Sequence, residues 1–417
     1  MTPEIKWRIE QIRRGEVPEG YQRAGAKIIP YNWGIRQIGE VCVVNPARPQ
    51  MIPDIVSFLA MADVSEDAKI VRQKQIRCSE ANNGFSCFCR GDILIAKITP
   101  CFENGKGAYT ATLETSVGFG STEFHVLRCR IDPEFIFFHT VSFEFRKRLE
   151  AEMTGTAGQK RVQAESIAKY RIAVPPIIEQ QKIAAILTTQ DKVIELKEKR
   201  LAEKQRQKKY LMQQLLTGKK RLPGFSGEWK TECLGNLFSE RTETNCEDLE
   251  MLAITGTQGI IPRKELDLKD NSSDDKSKYL KVCVGDIGYN TMRMWQGVSA
   301  YSNYEGIVSP AYTILKPNSS VDAKYFAYLF KKQEVISLFY RFSQGLVDDT
   351  RNLKYENFKR IKVFYPPDIT EQTAIAEVLT AADREIDLLR QEIEQEKQKK
   401  KALMQLLLTG IVRVKEA

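Results

Sequence analysis

One long segment with a helical pattern occurs twice in this chain of 417 residues. The first copy runs from Glu179 to Gly218 and the second from Glu371 to Gly410, a shift of 192 positions. Of the 40 aligned pairs, 18 are identical, and they cluster near the two ends while the charged middle differs. The repeat predicts a chain built as two copies of one plan, with the shared role of the helices concentrated at their ends.

Local chemistry marks where each repeated helix begins and ends. A proline pair precedes each copy, at Pro175-Pro176 and Pro366-Pro367, and each copy closes with Thr-Gly. Proline is tolerated at or before the first helical turn but not inside a helix, and glycine adopts the left-handed conformation that closes one. The intervening stretch of roughly 38 residues would span about 57 Å at 1.5 Å per residue.

Apolar residues recur every seven positions along both copies, which is typical of helices that pack along a seam. We therefore predict that the two helices pack on each other. The open alternative is two independent helices, each lying on its own globular domain. The predicted seam residues are Leu187, Ile194, Leu201, Leu215, Leu379, Ile386, Ile393 and Leu407.

The stretches that precede the helices share their outer parts but not the material between them. NWGIRQIGEV aligns with EWKTECLGNLF, GDILIAKITP with GDIGYNTMRM, and SIAKYRIAVPP with NFKRIKVFYPP. These parts mix short β-branched runs with turn glycines and show no Rossmann-like alternation, so we expect an α+β fold with two mixed α/β domains. The predicted regions are an N-terminal extension (1–20), a first domain (21–176), a first long helix (177–220), a second domain (221–367), and a second long helix with its tail (368–417).

Composition excludes several classes of protein. No stretch is as long and apolar as a membrane span, and the charged first residues do not resemble a signal peptide, so we expect a cytoplasmic protein without a membrane partner. The nine cysteines fit reduced thiols better than a disulfide framework. Cys87 and Cys89 lack a second Cys or His pair at zinc-site spacing, so we expect no metal.

Motifs for catalysis are also missing from the sequence. There is no GxxxxGK phosphate loop followed by Ser or Thr. Asn45-Pro46-Ala47 lacks the second proline and the aromatic residue of an amino-methyltransferase motif, and no glycine-rich cofactor loop precedes it. His125 and His139 lie in hydrophobic contexts that favour structural roles over general-base catalysis. These observations favour a binding protein that is not an enzyme and uses no cofactor.

Two similar domains joined by rigid helices could engage two sites on one extended partner at a fixed separation. DNA suits this geometry because half-sites recur along a regular rod, and a net charge of +9 permits an anionic partner. Since the domains differ between their shared parts, they should read different half-sites. The predicted site is therefore bipartite and asymmetric.

Several motifs occur in pairs and in a fixed order: EQQKIAAILTTQD with EQTAIAEVLTAAD after the prolines, and KKYLMQQLLTG with KKALMQLLLTG at the helix ends. Together with GDILIAKITP and the duplication itself, they resemble the specificity subunits of type I restriction-modification systems across essentially the whole chain. Each motif is loose alone, but the paired order is specific.

The resemblance implies two target-recognition domains on double-stranded DNA, related by a pseudo-twofold internal repeat. It also implies two long antiparallel helices that form a coiled coil and set the gap between the half-sites. The expected partners are two methyltransferase subunits, docked on the helices, and restriction subunits. Those partners would perform adenine methylation and ATP-dependent cleavage. The first 20 residues depart from this plan. They could mimic the linker that follows Gly218 and so help to close the two repeats into a ring.

Polar side chains near glycine-containing turns are the candidate DNA contacts, because Lys and Arg bind phosphates while Arg, Lys, Asn and Gln read bases. The first domain offers one cluster after GDILIAKITP and another in TGTAGQKRVQ, and the second domain offers matched positions. The candidates are Lys97, Asn104, Lys106, Tyr109, Gln159, Lys160, Arg161, Asn290, Arg293, Gln296, Gln344 and Arg351.

Two other functions remain open from the sequence. One is a protein-only coiled-coil adaptor whose two modules bind protein or cell-wall partners. The other is a self-sufficient DNA-modifying enzyme with a hidden active site. Methyl transfer by the isolated chain with S-adenosylmethionine would favour the second.

Overall fold

The computed structural model describes residues 2–81, 84–156, 158–256, 259–266 and 275–414. The chain divides into two compact units. Unit 1 comprises Met1–Lys197 and Glu392–Ala417, and unit 2 comprises Glu198–Gln391. Each boundary falls inside a long helix, so each unit contains one part of both helices.

Unit 1 begins with a short helix and a hairpin, continues through ten further strands, and leads into the first long helix. Its elements are α1 (Pro3–Arg13), β1 (Tyr21–Ala24), β2 (Lys27–Pro30), β3 (Gly34–Gln37), α2 (Ile38–Val41), β4 (Cys42–Val44), β5 (Ile55–Leu59), β6 (Lys74–Arg77), β7 (Ser86–Cys89), β8 (Ile93–Ala96), β9 (Gly107–Tyr109), β10 (Val117–Gly120), β11 (Phe124–Cys129), α3 (Pro133–Thr140), α4 (Phe143–Ala151), α5 (Ala164–Lys169), β12 (Arg171–Val174) and α6 (Ile177–Leu215).

Unit 2 repeats much of this order and leads into the second long helix. Its elements are β13 (Lys230–Cys233), α7 (Leu234–Leu237), β14 (Phe238–Glu240), β15 (Leu252–Thr255), β16 (Gly259–Pro262), β17 (Leu280–Val282), β18 (Ile287–Asn290), β19 (Ser299–Tyr301), β20 (Gly306–Val308), β21 (Tyr312–Pro317), α8 (Ala323–Leu329), α9 (Gln333–Phe342), α10 (Tyr355–Phe358), β22 (Lys362–Tyr365) and α11 (Ile369–Leu408).

The same antiparallel sheet occurs in both units. In unit 1 the strand order is β4-β11-β8-β9, and in unit 2 it is β14-β21-β18-β19. Each unit also has a two-stranded sheet. In unit 1 it pairs β3, which precedes α2, with β12, which precedes α6; in unit 2 it pairs β13, which precedes α7, with β22, which precedes α11. The prediction of two mixed α/β domains is confirmed by these sheets and the helices that follow them.

The units differ in the material between these shared strands. Unit 1 carries a second four-stranded sheet of order β6-β5-β10-β7, in which β5 and β10 are parallel. In the described part of unit 2, the corresponding stretch forms the pairs β15-β16 and β17-β20. The segments between the shared strands therefore fold differently in the two units, although the shared sheets are similar.

A glycine-aspartate turn precedes the central strand of each repeated sheet. Gly91 and Gly285 have φ of 93° and 96°, a left-handed conformation that glycine adopts without a steric penalty. The next residue, Asp92 or Asp286, accepts a hydrogen bond from the backbone N–H three residues earlier, at 2.7 Å and 2.8 Å. The repeated GD dipeptide thus has a local structural role.

The helix ends belong to the cores of the two units. In unit 1, Leu187 near the start of α6 and Leu407 near the end of α11 belong to one buried cluster. In unit 2, Leu379 near the start of α11 and Leu215 near the end of α6 do the same. Conserving the helix ends between the two copies therefore preserves two equivalent cores.

The remaining predicted seam residues lie nearer the middle of the helices. Ile194, Ile386 and Ile393 are buried, whereas Leu201 is half-buried. The predicted seam residues thus belong to the domain cores near the helix ends, and those between the ends are largely buried from solvent.

Ion pairs join the two long helices within each unit. In unit 2, Lys204 pairs with Glu385 at 2.8 Å and Lys208 pairs with Asp383. Residue numbers therefore increase along one helix as they decrease along the other, so the paired parts of the helices are antiparallel. In unit 1, Lys400 pairs with Asp191 at 2.6 Å and Lys197 with Glu392 at 2.8 Å, in the same antiparallel sense.

The N-terminal extension contacts the end of α11 within unit 1. Arg8 donates a hydrogen bond to the carbonyl oxygen of Ile411 at 3.2 Å, and the Tyr21 hydroxyl donates to that of Gly410 at 2.9 Å. The Arg8 guanidinium also lies 5.3 Å from the ring centroid of Tyr21. The first residues are thus attached to the segment that directly follows α11.

Candidate nucleic-acid interface

The two candidate segments of unit 1 lie side by side. One follows β8 and the other precedes α5. The backbone N–H of Val162 donates to the carbonyl oxygen of Lys97, and that of Thr99 donates to Lys160, both at 3.0 Å. We refer to residues 97–106 and 154–162 together as loop pair 1.

Most candidates from the first segment already bind other groups of the protein. Lys97 donates to the carbonyl oxygen of Thr122 at 2.7 Å, and partial burial lowers the pKa of its ammonium group. Asn104 donates to the Glu66 carboxylate at 3.0 Å. These interactions stabilise the loop, so contact of either side chain with DNA would require an exchange of partners.

Lys106 and Tyr109 are also partly enclosed. Lys106 donates to the carbonyl oxygen of Met61 at 3.1 Å. Tyr109 ends β9 and stacks on Phe137 with 6.0 Å between ring centroids, and burial raises the pKa of its hydroxyl. These contacts favour a structural role for Lys106 and Tyr109, in which they stabilise loop pair 1.

The second segment of loop pair 1 is more open to solvent. Gln159 and Lys160 are exposed. Arg161 makes a two-pronged pair with the Glu123 carboxylate, with both shorter contacts at 3.0 Å. The hydrogen bond from Arg161 lowers the pKa of Glu123. Gln159 and Lys160 are therefore the candidates best placed to meet a ligand in unit 1.

The matched segments of unit 2 also lie together. The backbone N–H of Leu353 donates to the carbonyl oxygen of Thr291 at 2.9 Å, which joins the turn after β18 to the loop after α9. Asn290 ends β18, and its side-chain oxygen accepts from the N–H of Met292 at 3.0 Å. Arg293 and Gln296 are exposed. We refer to residues 290–296 and 343–353 as loop pair 2.

Arg351 of loop pair 2 is held by contacts with the same loop and with α9. It donates to the Tyr340 hydroxyl at 2.7 Å and to the Asp348 carboxylate at 2.9 Å, and its guanidinium lies 3.9 Å from the Tyr340 ring centroid. Gln344 is exposed, and its backbone exchanges hydrogen bonds with Asn352 at 2.8 Å and 2.7 Å. Arg351 is thus pre-positioned, which reduces the entropy lost on binding a ligand.

Both loop pairs contain a short hairpin whose loop begins at a glycine. Gly155 and Gly345 have φ of 130° and 128°. A Cβ at these positions would lie 2.7 Å from the carbonyl oxygen of Gln159 and 2.6 Å from that of Thr350. Only glycine fits either turn without a rearrangement, so the two matched loops begin with the same backbone conformation.

A repeated cluster of side chains lies at the helix starts and was not predicted from the sequence. In unit 1, Glu179 accepts two hydrogen bonds from Arg413, at 2.7 Å and 2.9 Å, and one from the Trp33 indole at 3.0 Å. Only the pairing of Trp33 and Glu179 with counterparts 196 and 192 positions later could have indicated it.

Unit 2 contains the equivalent cluster. Glu371 accepts from Arg221 at 2.5 Å and 2.7 Å, and from the Trp229 indole at 3.4 Å. We call these two groups the helix-start clusters. Each links the first turn of one long helix to the segment that follows the other long helix, within a single unit.

The next residue of each helix makes a second matched contact. Gln180 donates to the carbonyl oxygen of Pro175 at 2.8 Å and accepts from the N–H of Asp132 at 3.2 Å. Gln372 donates to Pro366 at 3.0 Å and accepts from Asp322 at 2.8 Å. The repeated Glu-Gln dipeptide therefore anchors each long helix to its own domain.

The two histidines lie in buried structural positions, and Asn45 contacts one of them. His125 contacts the carbonyl oxygen of Val162 at 2.9 Å through Nε2, and burial lowers the pKa of its ring to about 4. Asn45 accepts from the N–H of Val126 at 3.1 Å and contacts His125. His139 is buried, and burial lowers its pKa to about 3. Both histidines are consequently neutral at pH 7.

Within the described ranges, no three His, Cys, Asp or Glu side chains are grouped closely enough to hold a metal ion. Among the helices of the same residues, none combines the length and the apolar content that crossing a membrane requires.

A family model places the chain. The model described as "Type I restriction modification DNA specificity domain" matches residues 30–204 and 235–398. The chain belongs to this family. The two matched regions of the specificity domain contain the repeated four-stranded sheets of both units, all of loop pairs 1 and 2, and both helix starts. The resemblance inferred from the paired motifs is confirmed.

Two specificity subunits of Escherichia coli are similar to this member of the family. The EcoEI specificity subunit is 34% identical over 161 residues, which cover 37% of this chain and 27% of that protein. The EcoAI specificity subunit is 32% identical over 190 residues, which cover 42% and 31%. The matched region thus spans less than a third of either relative.

A solved structure supports the fold over a longer range. The chain from "Structural basis underlying complex assembly and conformational transition of the type I R-M system" superposes with a TM-score of 0.57 at 18% identity. The superposition covers 92% of this chain and 99% of that chain. At this identity the likeness concerns the fold alone.

Proposed function

We propose that this chain is the DNA-binding specificity subunit of a type I restriction-modification complex and that it reads an asymmetric bipartite site. The observation that carries the proposal is the recurrence of one construction in both units. Each unit brings the turn after its central strand against a glycine-initiated hairpin. Family membership supports a specificity component, as opposed to an enzyme.

The side chains of the two loop pairs support a different sequence for each half-site. Loop pair 1 exposes Gln159 and Lys160, whereas loop pair 2 exposes Arg293, Gln296 and Gln344. Amide and guanidinium groups recognise base edges through paired hydrogen bonds, and ammonium groups neutralise phosphates. Because the groups differ in type and position, the half-sites should differ.

The long helices would set the gap between the half-sites. We propose that they form an antiparallel coiled coil related by a pseudo-twofold axis. The antiparallel ion pairs in both units and the buried residues Ile194, Ile386 and Ile393 support this arrangement. The differing charged middle would act as a spacer.

The proposed complex contains further subunits. Two methyltransferase subunits would dock on the helices, and restriction subunits would join that core, so that these partners supply methylation and cleavage. Since the proposed ligand is cellular DNA, we place the complex in the cytoplasm.

A binding experiment tests the proposal. The full chain is mixed with its cognate methyltransferase subunit, and methylated adenines are mapped in the host genome with and without this chain to obtain the site. We expect tight binding to a duplex with that site and an affinity that falls steeply with salt. Equal affinity for all duplexes, or no binding with the partner present, would contradict the proposal.

A variant of the spacer tests the helices. Four residues inserted in the charged middle of one helix add about 6 Å at 1.5 Å per residue. We expect the tolerated gap to change while both half-sites are retained, as judged by the mapped methylation. An altered half-site would refute the role of the helices as a spacer.

A further inference from the structure

The two segments of loop pair 2 and the end of α9, which hydrogen bonds join to one another, expose several large apolar side chains. Leu346 is 99% exposed and Val347 59% exposed, at the tip of the hairpin that Gly345 begins. Tyr340 and Met292 are 41% and 43% exposed. Since single exposed apolar residues are common on protein surfaces, the grouping is the informative feature.

The tip is tied to the domain and does not hang free. The N–H of Thr350 donates to the carbonyl oxygen of Val347 at 3.0 Å, and the Thr350 hydroxyl donates to the same oxygen, also at 3.0 Å. At the base, Arg351 binds both Asp348 and Tyr340. Leu346 and Val347 are thus presented by a hydrogen-bonded hairpin.

The equivalent hairpin of unit 1 has a different character. Its described tip residues include Thr156, Gly158 and Gln159, all exposed and none of them large and apolar. The two hairpins, which begin at glycines with similar φ, therefore expose different kinds of side chain at their tips. The apolar tip is not needed to form the hairpin, because unit 1 forms it without one.

We propose that Leu346 and Val347 are specificity-determining residues that contact the bases of the half-site read by unit 2. This inference rests on the proposed function and adds the chemistry of that contact. An apolar side chain gains nothing from a phosphate, but it can pack on a thymine methyl group or against a partly unstacked base. The ammonium group of Lys354, exposed directly after loop pair 2, suits a flanking phosphate.

The test compares the Leu346→Ser, Val347→Ser double variant with the wild-type chain, each bound to its methyltransferase subunits. The probes are a duplex with the mapped site and duplexes with base changes in the half-site of unit 2. We expect the affinity for the mapped site to fall about tenfold or more, as when a base contact is lost. Affinity for unrelated DNA and the slope of log affinity against log salt should stay unchanged.

Two control variants keep the result interpretable. The Leu346→Met, Val347→Ile variant preserves apolar contact and should retain wild-type affinity. Val284→Ser removes an apolar side chain about as exposed as Val347 at another place in unit 2, and it should leave the affinity for the mapped site unchanged.

Each outcome either supports or contradicts the proposal. Unchanged site affinity in the double Ser variant would overturn the inference while leaving the proposed function intact. Loss of methyltransferase binding with intact DNA affinity would overturn it in favour of a protein contact. Absence of sequence-specific binding by the wild-type complex would instead contradict the proposed function.

Discussion

Arg413 and Glu179 in unit 1 form the same two-pronged pair as Arg221 and Glu371 in unit 2, but the hairpins beginning at Gly155 and Gly345 expose different side chains. The glutamates of the helix-start clusters are buried while their arginine partners are partly exposed, so the loss of an arginine leaves a buried carboxylate without compensation. The hairpin tips face solvent, where side chains can change at little cost to stability. The two units thus share what burial constrains and differ where solvent imposes no such constraint.

The helix-start clusters also differ in how the chain connects them. In unit 2, Arg221 lies in the continuous segment between α6 and β13. In unit 1, Arg413 lies among the last described residues, and Tyr21 near the other end of the chain binds Gly410. The same geometry is therefore reached with two covalent connections, which indicates that side-chain chemistry and packing hold it.

Removal of the buried glutamates should have the largest effect on stability. We expect Glu179→Ala to destabilise unit 1 and Glu371→Ala to destabilise unit 2 by about 3 kcal/mol each, because an arginine and an indole N–H lose their acceptor. Urea unfolding combined with hydrogen exchange of each unit measures this. Glu377→Ala, at an exposed site of α11, is the control. A loss below about 1 kcal/mol would show that the clusters contribute little beyond the apolar cores.

The hairpin glycines should give a smaller and more local effect. Gly155→Ala and Gly345→Ala each force a Cβ against a backbone carbonyl at a left-handed φ, at a cost of about 2 kcal/mol. Faster hydrogen exchange of the ladder amides, Arg161 in one variant and Asn352 in the other, is the expected signature. Gly34→Ala is a control, since a Cβ there meets only a side-chain atom at 4.0 Å. Unchanged exchange in one unit alone would show that the two hairpins are not equivalent.

The smallest effect concerns the acid stability of loop pair 1. The hydrogen bond from Arg161 lowers the folded-state pKa of Glu123 below its ordinary value of 4.5, so the pair stabilises the fold above that pH. This contribution is lost as the pH falls through the lowered pKa. Since both side chains are partly exposed, we expect Glu123→Gln to cost under about 1 kcal/mol at pH 7.

The urea midpoints of wild type and Glu123→Gln at pH 7 and pH 3 measure that difference. The difference between the two midpoints should be smaller at pH 3, because protonation of the wild-type carboxylate becomes more favourable as the pH falls towards its lowered pKa. Glu80→Gln, at an exposed site in the same unit, should show a similar midpoint to wild type at both values. A gap that widens in acid would contradict the assigned role of the ion pair.

Much of the architecture could be predicted from local signals. The proline pairs and the Thr-Gly ends bracket the helices Ile177–Leu215 and Ile369–Leu408, because these residues act through their own backbone geometry. The candidate loops were found from glycines and matched positions, and the backbone hydrogen bonds bring both segments of each pair together. Whether the candidate side chains contact DNA stays a prediction.

The sequence by itself determined the duplication, the helix boundaries and the family, because identities at a fixed shift and local capping chemistry can be read without distances. Only the tertiary structure decided which polar groups already have partners. Lys97 and Lys106 donate to backbone carbonyls, and Glu179 meets an arginine 234 positions away. It also decided that Leu346 points into solvent while Leu187 lies in a core. The physical reason is that burial and pairing depend on contacts between residues far apart in the chain, which no local pattern encodes.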